Sequence, residues 1–123
     1  MKPFSILIVE DDVWLAEQYS RVLSIAGYES RITLDAAAAI RAIDDYCPDA
    51  IVLDVLLTGD TAFALLHELQ LYTDTGSIPV ILCTNLAGEL SIDNLKSYGV
   101  DQIIDKTTMK PDDLVKVLDG IFL

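Results

Sequence analysis

Four short, mainly apolar runs in this chain each lead directly to a charged or hydroxyl-bearing side chain. An apolar run of this length predicts a buried strand of a parallel sheet. Each strand is then expected to deliver its polar residue to the same edge of that sheet. The runs and the residues that follow them are 6–9 with Glu10 and Asp11, 51–53 with Asp54, 80–83 with Thr84, and 103–105 with Lys106.

These strands alternate with stretches of helical periodicity along the whole chain. The expected strands are 4–9, 28–34, 50–54, 78–84 and 100–105, and the expected helices are 12–26, 36–46, 61–71, 87–98 and one opened by residues 111–113. Such alternation predicts an α/β fold of one domain, residues 1–123, with a doubly wound five-stranded parallel sheet between two layers of helices. Arg31 and Thr33 interrupt the second strand, which indicates a position near a sheet edge.

Local signals set the boundaries of these helices. Gly27 and Gly99 are expected to end the first and fourth helices, because glycine favours the conformation that follows a helix. Asp35 can cap the second helix, and Pro48 ends it because a residue before proline avoids the α region. The buried stripe of the fifth helix is expected to contain Leu114, Val117, Leu118 and Ile121.

The composition excludes several classes of function. The chain of 123 residues is 52% hydrophobic and 23% charged, which is typical of one globular domain. Its net charge of −12 argues against binding to nucleic-acid phosphates or to anionic membranes. No apolar stretch approaches the roughly 18 residues that span a bilayer, and the basic and apolar regions of a signal peptide are not visible in the first residues. A cytoplasmic location is therefore expected.

The cysteines, the histidine and the tryptophan are expected to have structural roles. Cys47 and Cys83 lie in apolar contexts and are predicted to be reduced and buried. With one histidine and no CxxC pair, a zinc site is not expected. His67 is predicted to be a plain surface or half-buried side chain, and Trp14 is expected to pack against its neighbours.

The polar residues at the strand ends predict a site for phosphoryl chemistry. Ligands of open parallel sheets bind at the carboxyl ends of the strands. Glu10 and Asp11, with Asp54, supply the carboxylate oxygens that Mg²⁺ takes together with a phosphate group. Asp54 is predicted to be the nucleophile. Lys106 is predicted to stabilise the negative charge of the transferring group, and Thr84 to donate a hydrogen bond to a phosphoryl oxygen.

Each of these residues also has an ordinary structural explanation. Asp12 is better interpreted as the cap of the first helix than as a metal ligand. Lys106 alone would be a surface lysine. Asp54 is harder to explain in this way, because a carboxylate directly after a buried strand is costly to desolvate unless it is paired or bound to metal. The joint placement of the residues favours the functional interpretation.

The stretches that contain these residues resemble the receiver domain of response regulators in two-component signalling, over the whole chain. The matching stretches are residues 6–12, 48–54, 79–84 and 99–106. The resemblance implies a flavodoxin-like (βα)5 fold in which Asp54 accepts a phosphoryl group from a histidine kinase or a histidine phosphotransfer protein, with Mg²⁺ required. It also implies that the carbonyl of Leu56 completes the metal site. The output would pass to a downstream protein or a fused domain, without turnover of an external substrate.

The chain departs from the family pattern at four places. Residues 57–62 lack the proline and the second glycine that usually follow the acceptor, and Asn85 replaces the small residue after Thr84. Thr107 stands where the family has proline after the lysine, and Ile103 takes the place of the switch aromatic. The loss of the aromatic residue leaves open how the usual output surface works. Homodimerisation through that surface is also left open.

Two other functions remain as alternatives. A pseudo-receiver would keep the fold and bind partners without phosphorylation; the four departures favour it, and the five retained site residues oppose it. A phosphatase of the haloacid-dehalogenase type needs a second aspartate where this chain has Leu56. Leu56 and Leu86, each two residues beyond a site residue, are expected to hinder attacking water and to give a long-lived aspartyl phosphate.

Overall fold

Strands and helices alternate along the chain as the apolar pattern predicts. The structure, a computed structural model, describes residues 2–55, 62–85, 88 and 90–123, except the side chain of Thr73. The strands are β1 (Ser5–Val9), β2 (Glu29–Thr33), β3 (Ala50–Leu53), β4 (Val80–Thr84) and β5 (Val100–Asp105). The helices are α1 (Val13–Ile25), α2 (Ala36–Tyr46), α3 (Ala62–Gln70), α4 (Thr73–Gly76), α5 (Ile92–Leu95), a 3₁₀ turn (Lys96–Tyr98) and α6 (Asp113–Phe122).

The five strands form one parallel sheet in the order β2-β1-β3-β4-β5. This order confirms the predicted α/β fold and the predicted position of β2 at an edge. Val9 pairs with Leu53, Leu53 with Leu82, and Leu82 with Ile103, so neighbouring strands end at a similar level. The strand order changes direction between β1 and β3, where ligands of doubly wound sheets bind.

Alternate residues of the central strands supply two separate hydrophobic layers. Leu7, Ile51 and Leu82 face one layer, which α2 and α3 cover. Ile8 and Val52 face the other layer, which α1 and α6 cover. Successive side chains of a strand point to opposite faces, so a run that is apolar at every position is buried on both sides. The central strands are therefore covered by helices on both faces, and a ligand can approach them at their carboxyl ends.

Side chains and glycines end the helices where the sequence predicts. Oδ1 of Asp12 accepts a hydrogen bond from the backbone N–H of Leu15 at 3.1 Å, so Asp12 caps α1. Oδ1 of Asp35 caps α2 in the same way. Gly27 has φ 94° and Gly99 has φ 82°, in the left-handed region that favours glycine. In the expected buried stripe of α6, Leu114 and Leu118 are fully buried, whereas Val117 and Ile121 are only partly buried against the same layer.

The predicted boundaries of two helices are wrong in part. The fourth helix was expected over residues 87–98, but Leu90 and Ser91 are not helical, and α5 begins only at Ile92. Ser91 has an extended backbone, φ −109° and ψ 119°, which ends any helical hydrogen-bond ladder at that point. The short helix α4 is an addition that periodicity does not predict. The last helix starts at Asp113, two residues later than Pro111.

Two predictions of burial are also wrong. Cys47 is exposed, because it lies just beyond the last turn of α2, where Pro48 takes the buried position instead. Trp14 was expected to pack against its neighbours, but its side chain is 68% exposed in the first turn of α1. Cys83 is buried and His67 is exposed, as predicted. Among the described residues, no helix is both long and apolar enough to cross a membrane.

Candidate functional site

The sheet brings the polar residues of its strand ends together at one edge. Glu10 and Asp54 directly follow β1 and β3, which are neighbours in the sheet. Thr84 is the last residue of β4 and pairs with Asp105, so Lys106 begins the loop beside it. The predicted convergence of these residues is therefore what the parallel register produces.

Backbone hydrogen bonds extend the sheet one residue beyond the strands and fix the backbone of the site. The N–H of Asp54 donates to the carbonyl of Val9 at 3.2 Å. The N–H of Lys106 donates to the carbonyl of Thr84 at 3.0 Å, and the N–H of Glu10 donates to Thr33 at 3.0 Å. The site residues are thus held by the sheet itself rather than by free loops.

Three carboxylates form a compact cluster at this edge. One carboxylate oxygen each of Glu10, Asp11 and Asp54 lies within 4.8 Å of the other two. Glu10 is buried, Asp54 is partly buried and Asp11 is exposed, so the cluster opens from the protein interior toward solvent. This is the only cluster of at least three His, Cys, Asp or Glu side chains with such spacing in the described part of the chain.

Lys106 lies against the buried side of this cluster. Its ammonium is ion-paired with Oε1 of Glu10, and its Nζ lies 3.2 Å from Oδ2 of Asp54. The side chains of Lys106, Glu10 and Asp54 are all nearly enclosed, at 12%, 3% and 11% exposure. Ion pairs in such surroundings are screened less by solvent than pairs on the surface. Lys106 is therefore the cation that faces the candidate nucleophile.

The local environment shifts the pKa values of this pair. Burial raises the pKa of Glu10, and the hydrogen bond and charge of Lys106 oppose the rise only in part. Burial alone would lower the pKa of Lys106, but the hydrogen bond and charge of Glu10, together with Asp54, outweigh it and raise that pKa. Lys106 is consequently a full positive charge at neutral pH.

The donor set of the cluster fits a hard divalent cation. All three side chains offer carboxylate oxygens, and neither sulfur nor imidazole is among them. Mg²⁺ binds through one or two carboxylates and keeps several waters, for which the exposed side of Asp11 leaves room. The predicted fourth donor, the carbonyl of Leu56, lies outside the described residues. The same holds for Leu86 and for most of the 57–62 segment.

Sequence reasoning missed two hydrogen-bonding features around the site. The N–H of Asp12 donates to Oε2 of Glu10 at 3.3 Å, so the N-cap residue of α1 supports the buried carboxylate. Oδ1 of Asp105 accepts hydrogen bonds from the N–H and from the hydroxyl of Thr107. An aspartate two residues before a threonine is a signal for such a turn, and it could have identified the second feature.

An apolar groove borders the site on the side of Lys106. It has a volume of about 260 Å³ and lies between α1 and the loop that follows β5. Its walls are formed mainly by Trp14, Leu15, Tyr19, Val22, Met109 and Pro111. The exposed Trp14 is therefore part of a surface that continues from the candidate site.

Comparison with known proteins assigns the chain to a family. Residues 6–119 match the family model of the response regulator receiver domain. Over 110 residues the chain is 30% identical to the DNA-binding response regulator MtrA of Mycobacterium leprae, a match that covers 89% of this chain and 47% of MtrA. Over 107 residues it is 32% identical to the sensory transduction protein RegX3 of Mycobacterium bovis, covering 87% of this chain and 44% of RegX3.

Solved structures agree with this assignment. The signal receiver domain of a signal transduction histidine kinase from Syntrophus aciditrophicus superposes with a TM-score of 0.81 at 30% identity, covering 96% of this chain and 89% of that one. The chemotaxis response regulator CheY4 of Vibrio cholerae shares the fold, with a TM-score of 0.85 at 23% identity and coverage of 97% and 98%.

The matches extend over nearly all of this chain but over only part of the curated relatives. The aligned residues span less than half the length of each of the curated relatives compared above. The similarity therefore concerns one domain of those proteins. The chain belongs to the response regulator receiver domain family of two-component signal transduction.

Proposed function

We propose that this receiver domain is a phosphorylation-dependent switch in which Asp54 accepts a phosphoryl group. One observation carries the proposal: Asp54 belongs to a cluster of three carboxylates, and the ammonium of Lys106 lies 3.2 Å from its Oδ2. A nucleophilic carboxylate so placed has a metal site and a cation ready for the charge that arrives with the phosphoryl group.

The reaction is a transfer from a phosphorylated histidine to the carboxylate. An oxygen of Asp54 forms a bond to phosphorus while the bond between phosphorus and the imidazole nitrogen breaks. The electron pair of that bond stays on the imidazole nitrogen, and Asp54 becomes an acyl phosphate. Lys106 compensates the negative charge of the equatorial phosphoryl oxygens, and the hydroxyl of Thr84 donates to one of them.

Glu10, Asp11 and Asp54 are the residues that would hold Mg²⁺. When bound, the ion supplies positive charge to the phosphoryl oxygens and lowers the barrier to transfer. Asp11, the exposed member, sets how easily the ion enters, whereas the buried Glu10 is already paired with Lys106. The chain modifies its own carboxylate, so no turnover of an external substrate is proposed.

The partners follow from the family and from the chemistry. A histidine kinase or a histidine phosphotransfer protein would supply the phosphoryl group. The longer curated relatives favour an output domain fused to the receiver or a separate downstream protein as the reader of the switch. The net charge of −12 makes direct binding of this domain to nucleic-acid phosphates unfavourable.

Intact-protein mass spectrometry after incubation with acetyl phosphate and Mg²⁺ tests the proposal. We expect an adduct of about 80 Da on the wild type and none on Asp54→Asn, which keeps the shape of the side chain but not the nucleophile. Asp101→Asn, a change at an exposed aspartate of β5, is the matched control and should carry the adduct. Omission of Mg²⁺ should suppress it.

A pseudo-receiver is the second candidate, and the pairing of Lys106 favours it. The ammonium of Lys106 is already paired with Glu10 and Asp54 without any ligand, so it is engaged before a phosphoryl group arrives. Ile103, at the switch position, packs against the hydrophobic core as an ordinary core residue. If the folded wild type binds Mg²⁺ but forms no phosphoryl adduct, the result would favour the pseudo-receiver.

A further inference from the structure

The segment that presents Lys106 is closed by a pair of side-chain hydrogen bonds. Oδ1 of Asp105 accepts the N–H of Thr107 at 2.9 Å and the hydroxyl of Thr107 at 2.6 Å. The N–H of Thr108 donates in addition to the backbone carbonyl of Asp105 at 3.3 Å. Asp105 thus reaches past Lys106 and holds the residue that follows it.

The other side of Lys106 is held by the sheet. Its own N–H donates to the carbonyl of Thr84 at 3.0 Å, and Asp105 pairs with Thr84 in the register of β4 and β5. The backbone of Lys106 is therefore fixed on both sides. Because a flexible lysine side chain can place its ammonium at many points within its reach, the position and direction of the Lys106 backbone limit which of these points lie beside Glu10 and Asp54.

Threonine at position 107 is well suited to fix the backbone beside Lys106. Threonine supplies two donors to one carboxylate oxygen, its N–H and its hydroxyl, and a proline at position 107 would supply neither. Thr107 and Thr108 are both exposed, so the turn adds little to the hydrophobic core. Its effect is expected on the placement of Lys106 rather than on folding.

We infer that Thr107 and Asp105 are positioning residues that hold the ammonium of Lys106 against Glu10 and Asp54. The inference rests on the proposed function for its effect on phosphoryl transfer, but the position of Lys106 can be tested without it. Loss of the turn would let the ammonium leave the carboxylates for part of the time. Phosphoryl transfer would then slow, because misplacement of a catalytic group lowers the rate steeply.

The first test measures the protection of Lys106 from amine labelling. The probe is limiting acetic anhydride, followed by peptide mass spectrometry, and the exposed Lys110 in the same protein is the internal reference. Thr107→Val should raise the labelling ratio of Lys106 to Lys110 about threefold to tenfold, as expected for loss of one ordinary hydrogen bond, and Asp105→Ala, which removes both bonds, should raise it at least as much. Thr107→Ser, which keeps the hydroxyl, should restore protection.

Thr108→Val is the matched control for the first test. The hydroxyl of Thr108 makes no hydrogen bond to the described residues, and its N–H is kept in the variant. This variant should label like the wild type. A labelling ratio that does not change in Thr107→Val overturns the inference, whether or not the protein takes a phosphoryl group.

The second test measures the initial rate of adduct formation with acetyl phosphate and Mg²⁺. Thr107→Val should slow the reaction about threefold to tenfold, and Thr107→Ser should restore it. In a Lys106→Met background, Thr107→Val should have no further effect, because it acts only through Lys106. Equal slowing in both backgrounds would overturn the inference, since a general loss of stability behaves in that way.

Failure of the inference and failure of the proposed function give different results. A wild type without an adduct contradicts the proposed function, and the labelling ratio of Thr107→Val still decides the inference. An adduct on the wild type with an unchanged rate and unchanged labelling in Thr107→Val supports the function and overturns the positioning role.

Discussion

Nζ of Lys106 lies 3.2 Å from Oδ2 of Asp54, while the same ammonium is ion-paired with the buried Glu10. One cation therefore faces two of the three carboxylates that are suited to hold Mg²⁺. Its charge opposes the entry of a divalent cation and favours the entry of a phosphoryl group. Under the proposed function, Lys106 would therefore link the binding of Mg²⁺ to the binding of the phosphoryl group.

Replacement of Lys106 should strengthen Mg²⁺ binding. Lys106→Met removes a positive charge from the neighbourhood of the cluster, a change of about 1 kcal/mol, or roughly fivefold in Kd. Isothermal titration calorimetry with MgCl₂ measures the effect. Lys110→Met, a change at an exposed lysine, should leave the Kd unchanged. Weaker Mg²⁺ binding in Lys106→Met would contradict the expected electrostatic repulsion between the Lys106 ammonium and Mg²⁺.

The two cysteines should differ sharply in their reaction with thiol reagents. Cys47 is exposed, whereas burial raises the pKa of Cys83 to about 12 and removes its thiol from solvent. We expect iodoacetamide at neutral pH to modify one thiol in the native protein and two in the unfolded protein. Peptide mass spectrometry identifies the residue, and rapid modification of native Cys83 would contradict the burial.

Loss of one hydroxyl should weaken the contact between β2 and α6. The hydroxyl of Tyr28 donates to Oδ1 of Asp119 at 2.6 Å, beside the stacked rings of Phe4 and Phe122. Tyr28→Phe should lower the free energy of unfolding by about 1 kcal/mol, as for an ordinary hydrogen bond. Urea denaturation measures it, with Tyr98→Phe at a half-exposed tyrosine as the control. An unchanged midpoint would refute the contribution of this bond.

The same tyrosine should contribute to the loss of stability in alkali. Burial first, and then Asp119, raise the pKa of Tyr28 in the folded protein. The unfolded chain therefore releases this proton first, at about pH 10, so the contribution of Tyr28 is present below that pH and declines above it. The decrease in stability between about pH 9 and pH 11 should be smaller in Tyr28→Phe. A steeper decrease in Tyr28→Phe would contradict the expected contribution of Tyr28 to the loss of stability in alkali.

Gly99 should resist replacement by alanine. It has φ 82°, and an added Cβ would lie 3.2 Å from Nε2 of Gln70 and 3.4 Å from the carbonyl oxygen of Ile78. Gly99→Ala should lower the free energy of unfolding by about 1–2 kcal/mol. Gly120→Ala, inside α6 with open space around it, should raise it by about 0.5–1 kcal/mol. Equal effects of the two substitutions on the free energy of unfolding would contradict the expected strain of an alanine at position 99.

The sequence predicts the sheet and its polar edge well because both depend on uninterrupted runs. Ile51 and Val52 are apolar at successive positions, so their side chains point to opposite faces of the sheet. A strand that is apolar on both faces is typical of a parallel sheet covered by helices on both sides. The register of parallel strands then places Asp54 beside Glu10 without further information. The confirmed caps at Asp12 and Asp35 are equally local, since each needs only its own side chain and the next turn.

The parts that sequence reasoning did not predict depend on tertiary contacts. The hydroxyl of Thr75 in α4 donates to the carbonyl of Leu69 at 2.6 Å, so the short helix is held by α3 rather than by its own periodicity. The exposure of Cys47, which follows the last turn of α2, and of Trp14, in the first turn of α1, depends on which residues at the helix ends the sheet covers, and the apolar character of a residue alone does not specify this. The position of the Lys106 ammonium likewise depends on partners 52 and 96 positions away along the chain, Asp54 and Glu10.

The most direct measurement maps the phosphorylated residue itself. Borohydride reduces an aspartyl phosphate to homoserine, and peptide mass spectrometry then locates the altered residue. After incubation with acetyl phosphate and Mg²⁺, we predict homoserine at position 54 and at no other aspartate. Homoserine at another position, or an unchanged Asp54 in a folded protein that binds Mg²⁺, would contradict the assignment of Asp54 as the phosphoryl acceptor.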